Sequence, residues 1–218
     1  DDAKKLWKQS KAAYTPTLIV SFGSQSGENF WYDRTNVWEN EKLLTFTPRS
    51  IIDARSRRRT TSEFGDYGHI EVAKAVKQIA DGGTKINLGS HGQLQGLGAH
   101  WELWMLAQGG MTPLNVLKTA TINGAEYLGM GRELGSLEPG KLADLIVFDA
   151  NPLDDIRNTE KIKYVMANGR MFDAETMNEI GNGEKPRPKF WWQLGRGETF
   201  SLPSGNTETY MYTHPQCD

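Results

Sequence analysis

The sequence has a single cysteine, Cys217, which excludes an internal disulfide framework and leaves the redox compartment undecided. It also lacks any apolar run of about 18 residues, the length that a membrane-spanning helix requires. No signal peptide pattern is visible. We therefore expect a soluble protein without a membrane span, with the periplasm and the cell exterior left open as compartments.

The sequence has no excess of charge of either sign. Its 25 lysines and arginines nearly balance 27 acidic residues, for a formal net charge of −2. This balance gives no electrostatic reason to expect a nucleic acid or an anionic membrane as partner, so small molecules and protein surfaces fit better. With 38% hydrophobic and 24% charged residues, the 218-residue chain is expected to be globular and to bury a core.

Histidine is scarce, and the sequence contains neither a His-x-His pair nor an HExxH motif. The four histidines are His69, His91, His100 and His214. Histidines scattered in this way do not form a zinc site by spacing. A phosphate-binding loop is also a weak interpretation, because neither a P-loop lysine nor a complete GxGxxG follows a predicted strand.

Strand and helix patterns alternate in the first 132 residues, which predicts an α/β architecture with parallel strands. Residues 14–23, YTPTLIVSFG, are typical of a strand buried on both faces, and residues 85–89, KINLG, of a second strand. A long polar excursion with short helices is expected between residues 23 and 60. Helices are predicted over residues 2–12, 67–80, 100–110 and from Thr112-Pro113 onward, where threonine caps and proline opens the helix.

From residue 133 onward, short strand patterns replace the alternation of strands and helices. Residues 142–149, LADLIVFD, predict a strand, and Asn168-Gly169 between two short apolar runs predicts a hairpin. We therefore assign residues 133–180 to a small β-subdomain. Residues 181–218, rich in glycine and proline, are predicted to be an irregular tail with Trp191 and Trp192 as anchors.

The helix after Thr112, the string GSLEPGKLADLIVFDANPLDDI and the string YVMANGRMF together resemble the C-terminal portion of the amidohydrolase superfamily, in its imidazolonepropionase and prolidase-like branch. The similarity covers residues 12–173. It implies the last two strands and helices of a (β/α)8 TIM-like barrel, with residues 14–23 as strand seven and KINLGSHG as strand eight with its loop. It also implies that the β-subdomain is part of a small β-sandwich, and that chemistry occurs at the C-terminal ends of the barrel strands.

The resemblance implies a divalent metal, with zinc as the expected ion. Family members hold the metal through a His-x-His pair on strand one, lysine or glutamate on strand four, and histidines on strands five and six, and none of these is found here. The chain also opens on Asp1, directly in a helical pattern, rather than on methionine. We therefore expect a piece of a longer protein or a processed product, with most metal ligands absent from this chain.

Partners follow from the same resemblance. Two barrel strands alone would leave apolar edges unpaired, and such edges aggregate or find partners. We expect the remaining N-terminal part of the enzyme, or another chain, to complete the barrel, and we expect an oligomeric assembly.

His91 lies where most of the superfamily has an aspartate at the end of strand eight. An imidazole can accept a proton near neutral pH or serve as an auxiliary metal ligand, so His91 is the candidate catalytic residue. The alternative is a histidine that is simply hydrogen-bonded in a loop. Gln93 and Gln95 follow among glycines and can offer amide groups to a polar substrate.

Three further residues are candidates for substrate binding, each with a structural alternative. His100 could reach the mouth of the pocket or cap its helix, and His69 could gate the substrate or satisfy the start of its helix. Tyr32, beside Trp31, could line a pocket or belong to the core. An arginine within residues 55–59 could bind a substrate carboxylate, although such charge runs usually face solvent.

The leading hypothesis is the C-terminal segment of a metal-dependent amidohydrolase that hydrolyses amide, dipeptide or cyclic amide bonds with metal-activated water. The resemblance suggests prolidase-like dipeptides and imidazolone-type rings as substrate classes. The alternative is a non-catalytic scaffold or assembly subunit whose site has lapsed. A nucleic-acid module fits neither the charge nor the motifs.

Overall fold

Eight α-helices and one antiparallel sheet are the regular elements of this computed structural model, which describes residues 2–21, 27–56, 61–91, 94–181 and 183–195. The helices are α1 (Asp2–Ser10), α2 (Gly27–Tyr32), α3 (Glu41–Phe46), α4 (Arg49–Ser56), α5 (His69–Asp81), α6 (Leu97–Gln108), α7 (Pro113–Thr119) and α8 (Ile122–Tyr127). The strands are β1 (Leu145–Phe148), β2 (Ile162–Ala167), β3 (Arg170–Asp173) and β4 (Glu179–Ile180). Within these residues the fold is α/β with a small antiparallel sheet, as expected in outline.

Within the described residues, the two predicted parallel strands are present only as a single bridge. Tyr14 pairs with Ile86 in parallel fashion, through hydrogen bonds from Tyr14 N to Lys85 O and from Asn87 N to Tyr14 O, each 2.9 Å. The prediction of a strand across residues 14–23 was wrong, because Leu18–Val20 forms a 3-10 turn. Proline at position 16 has no N–H for a ladder, and the N–H groups of Leu18 and Ile19 bond a side chain of α6 rather than a strand.

The sheet has the order β1-β2-β3-β4, and every neighbouring pair is antiparallel. The predicted hairpin is confirmed, with Asn168 and Gly169 at φ values of 49° and 76° between β2 and β3. Positive φ at both central residues is what a type I′ turn requires, and asparagine and glycine adopt it most easily. Among the described residues there is this one sheet, so they do not supply the second sheet of a sandwich.

The core is built around α6, which packs on α5, α7, the turn at Leu18–Val20 and a short 3-10 segment, Ile156–Glu160. The predicted helix is present here, and the six consecutive residues 101–106 are all buried, so α6 is covered on every side. Trp104 donates its indole N–H to the Ile156 carbonyl and to Thr159 Oγ1, each at 3.1 Å. These bonds join α6 to the loop between β1 and β2.

The contact between α5 and α6 depends on a glycine. A Cβ added to Gly109 would lie 2.6 Å from Ala73 Cβ and closer still to the Ala73 backbone in α5. Gly109→Ala should therefore force the two helices apart and cost about 2 kcal/mol. The expected result is faster hydrogen exchange of the α5 and α6 amides.

Gly124→Ala is the matched control, since nothing lies within 4 Å of its added Cβ and the residue is inside α8. Alanine is a better helix former than glycine by about 0.5–1 kcal/mol, so α8 should exchange at an equal or lower rate. If the α5 and α6 amides exchange at the same rate in Gly109→Ala as in Gly124→Ala, the proposed steric role of Gly109 is contradicted.

The excursion and the tail pack on each other. The predicted short helices of residues 23–60 are confirmed by α2, α3 and α4. Phe190 contacts Phe46 edge to face and stacks on Trp192 with ring centroids 4.4 Å apart. Trp191 does not anchor the tail, because it is 66% exposed. Among the helices described, none is long and apolar enough to cross a membrane.

Candidate functional site

His91 ends the segment 86–91, which runs from the parallel bridge at Ile86 into a turn. Its side chain is exposed and its φ is +53°. In the described part of the chain only four residues other than glycine have positive φ, and this conformation costs about 1–2 kcal/mol for most side chains. Histidine adopts this conformation more readily than most residues do, and here it lies in a turn.

Close backbone packing holds the segment on one side. A Cβ added to Gly89 would lie 3.0 Å from both Thr15 Cγ2 and Thr17 Oγ1, and even closer to the Pro16 carbonyl. Only glycine permits this approach, so residues 15–17 and 89 lie in direct contact. The contact between Gly89 and residues 15–17 therefore holds the start of the turn that carries His91.

Helix α6 holds the segment on the other side. A Cβ at Gly98, in the first turn of α6, would lie 3.7 Å from Ile19 Cδ1 and 3.9 Å from the Ser90 carbonyl. Gln95 is exposed, as binding to a polar substrate requires. Its backbone carbonyl accepts a hydrogen bond from Leu97 N at 3.0 Å. Gln93 lies outside the described residues, as do residues 57–59 of the arginine run.

Glu102 was not identified from the sequence. It is 0% exposed, and its two carboxylate oxygens accept the backbone N–H groups of Leu18 at 2.7 Å and Ile19 at 3.0 Å. Burial raises the pKa of the Glu102 carboxyl to about 7, against the opposite effect of these two hydrogen bonds. The only available signal was a charged residue within an otherwise apolar helical stretch, HWELWMLA.

His100 lies in the first turn of α6, after Gly96 at the N-cap position with a φ of 77°. The alternative that His100 caps the helix was therefore wrong. Its Nδ1 is buried and has no hydrogen-bond partner in the described part of the chain. Burial, and secondly the Lys42 ammonium, lower the pKa of His100 to about 4, so the ring is neutral at neutral pH.

His69 and Tyr32 lie within the core. His69 is 0% exposed and begins α5, with Nε2 hydrogen-bonded to Gln108 Oε1 at 3.0 Å and its ring against Phe30. Burial lowers the pKa of His69. Tyr32 is 4% exposed and packs edge to face on Trp101. Both side chains contact other core residues rather than solvent.

The described residues do not fit a metal centre. No three histidine, cysteine, aspartate or glutamate side chains gather into a group that could hold an ion within the described ranges. Both Glu102 oxygens already accept N–H groups, and His69 Nε2 is already bonded to Gln108. His214 and Cys217 lie outside the described residues.

Two surface cavities, of about 560 Å³ and about 310 Å³, lie elsewhere. The first is lined by residues around Lys85 and Glu126, and the second by Arg34, Trp101, Trp104 and Arg157 among others. Neither is lined by His91, Gln95 or His100.

Comparison with known proteins identifies the family to which this chain belongs. The family model described as the amidohydrolase family matches residues 50–172. The ochratoxinase of Aspergillus niger is 29% identical over 177 residues, which cover 74% of this chain. The imidazolonepropionase of Geobacillus sp. strain WCH70 is 52% identical over 42 residues, covering 19% of this chain and 10% of that relative.

Solved structures show the same likeness. The crystal structure of a Xaa-Pro dipeptidase with bound methionine in its active site matches with a TM-score of 0.54 at 25% identity, over 79% of this chain. The solved neighbours are TIM-barrel amidohydrolases, of which this chain covers a part. The chain spans only 36% of the ochratoxinase and 37% of the dipeptidase chain.

Proposed function

Because this chain belongs to the amidohydrolase family, we propose that it is the C-terminal segment of a larger hydrolase that cleaves carbon–nitrogen bonds. The observation that carries the proposal is the family match over residues 50–172, in a chain that spans little more than a third of its relatives. The names of these relatives support an amide, dipeptide or cyclic amide as the substrate class.

The same proposal assigns parts of the fold. Residues 1–132 would supply the last two strands and helices of the barrel, with the bridged segments at Tyr14 and Ile86 completed by neighbouring strands. Residues 133–180 would belong to a β-sandwich, and residues 181–218 would form the tail. The end of α8 at Tyr127 and the single sheet from Leu145 to Ile180 support this division.

His91 is proposed as the group that accepts a proton during hydrolysis. Its support is the exposed ring and a location directly after the segment that pairs with Tyr14. Gln93 and Gln95 are proposed to contact the substrate, and His100 to border the site. Direct contact by Tyr32 or His69 with the substrate would require the aromatic core to open, so we assign them a structural role in that core.

Metal dependence is general in this family, but the described residues do not form a metal centre. The ligands of a divalent ion such as zinc would thus come mainly from residues absent from this chain. His91 is proposed as an auxiliary ligand only if it is not the proton acceptor.

Exposed apolar surface supports a partner. Ile146 and Val147 in the edge strand β1 are 49% and 37% exposed, and Tyr127, Leu128 and Leu137 are exposed nearby in the sequence. Unpaired apolar strands and large exposed side chains normally lie against other protein. We propose that the N-terminal part of the enzyme, or another chain, covers them, and that the assembly is oligomeric.

The test is to assay hydrolysis of dipeptides, N-acyl amino acids and cyclic amides by the complete protein and by this chain alone. The complete protein should hydrolyse at least one substrate class and contain bound metal. The chain alone should show no turnover and no bound metal, because its described residues lack the ligand set. Metal content and the identity of every polypeptide in the native assembly are measured on the same preparation.

Two results would contradict this proposal. Full turnover by the isolated chain would show that its own residues suffice. A complete, correctly folded assembly without metal or hydrolytic activity would favour the scaffold alternative instead.

A further inference from the structure

We propose that Glu102 is a positioning residue that fixes the segment 86–91 and thereby places His91 for catalysis. The inference rests on the function proposed above. Glu102 is buried away from the substrate and acts through the backbone of Leu18 and Ile19.

Glu102 holds the 3-10 turn through a pair of hydrogen bonds. Leu18 and Ile19 are both 0% exposed, and their N–H groups bond the two Glu102 oxygens at 2.7 Å and 3.0 Å. Without that acceptor, two buried donors would be unsatisfied, at about 1–3 kcal/mol each. The turn would then move to find other partners.

The turn at Leu18–Val20 is connected to His91 by packing around residues 89 and 90. The Ile19 side chain and the Ser90 carbonyl both pack against Gly98, at 3.7 Å and 3.9 Å from its added Cβ. On the other side, Gly89 packs on residues 15–17, which lead directly into the turn. A shift of Leu18 and Ile19 would therefore move both surfaces that hold residues 89 and 90.

A carboxylate at position 102 has a structural reason. An apolar residue could fill the same space at lower desolvation cost, but it could not accept two converging N–H groups. Among the described residues, no basic side chain forms an ion pair with Glu102. The carboxylate is thus explained by the backbone geometry that it imposes.

The test uses Glu102→Gln and Glu102→Asp in the complete protein, with Trp104→Phe as control. Glutamine keeps the shape but places an NH2 group against one N–H donor, and aspartate is too short to reach both. Trp104→Phe also removes two buried hydrogen bonds from α6, but these lie toward Ile156 and Thr159. Turnover is corrected for the folded fraction.

Glu102→Gln should lower kcat at least about tenfold with KM within about threefold, because misplacement of a catalytic group affects mainly the transition state. Trp104→Phe should change kcat less than about twofold. In a His91→Asn background, Glu102→Gln should have almost no further effect, since its action passes through His91.

A second readout needs no substrate. Hydrogen exchange of the amides in segment 86–91 should accelerate about tenfold in Glu102→Gln and remain unchanged in Trp104→Phe. If the wild-type protein proves to have no hydrolytic activity, the proposed function fails, and this exchange measurement still tests the role of Glu102.

Three outcomes would overturn the inference. One is a Glu102→Gln variant that matches Trp104→Phe in both readouts. Another is a tenfold loss that persists unchanged in the His91→Asn background. The third is failure of both Glu102 variants to fold where Trp104→Phe folds, which would make Glu102 a stability residue only.

Discussion

Replacement of His91 by asparagine should lower the turnover of the complete protein at least about a hundredfold, the usual contribution of a positioned acid or base. Asparagine tolerates a φ of +53° nearly as well as histidine does, but its amide cannot accept a proton at neutral pH. The backbone should therefore remain in place while the chemistry is lost. The measurement is kcat on the preferred carbon–nitrogen substrate at saturating concentration.

His91→Gly is the matched control for conformation, since glycine adopts positive φ without strain and also lacks a base. It should lose as much turnover as His91→Asn. His91→Ala would add backbone strain, so a loss confined to alanine would indicate a conformational effect. Near-normal turnover in the asparagine variant would refute the role of His91 as proton acceptor.

The second large effect is the contribution of Glu102 to the pH dependence of stability, which Glu102→Gln should remove. Burial raises the pKa of Glu102 from 4.5 to about 7, so the folded protein holds this proton more tightly than the unfolded chain. The stabilisation is fully present below pH 4.5 and is lost as the pH rises through 7. The difference between the two pKa values corresponds to about 3 kcal/mol.

His100 has the opposite dependence. Burial lowers the pKa of His100 from 6.5 to about 4, so the unfolded chain binds the proton more tightly. Its contribution is fully present above pH 6.5 and is lost as the pH falls through 4. The two groups should largely cancel in the wild-type protein between pH 4 and pH 8, and only variants would separate them.

The measurement is the local opening free energy of α6 by hydrogen exchange, compared with wild type at each pH. Relative to wild type, Glu102→Gln should be about 3 kcal/mol more stable at pH 8 than at pH 4.5. His100→Gln should instead gain relative stability toward acid. A difference that does not vary with pH in the Glu102 variant would show that its carboxyl is not buried as described.

Local chemistry made several elements predictable. Thr112 and Pro113 begin α7 as expected, with Thr112 Oγ1 accepting from Asn115 N, and Asn168-Gly169 forms the predicted hairpin turn. Each of these signals acts over a few neighbouring residues. The resemblance to the amidohydrolase family, carried by the same stretches, is confirmed by the family match.

The site was less predictable, because its contacts join distant parts of the chain. Leu18 and Ile19 have the apolar pattern of a strand, but Glu102, more than 80 residues away, takes their N–H groups and favours a turn. The apolar stretch around Glu102 is a local sign of burial, but nothing local shows which N–H groups its carboxylate accepts. The same limitation applies to His69, whose burial depends on Phe30 and Gln108.

The bonds from the Trp104 indole to Ile156 and Thr159 bear on how this polypeptide can be dissected. Truncation near residue 132, where the sequence pattern changes, would strip both acceptors from an indole that is only 2% exposed. The helical portion would then expose the Trp104 side chain to water and lose the packing of residues 156–160 on α6. Limited proteolysis should accordingly release the two portions together, as one resistant piece.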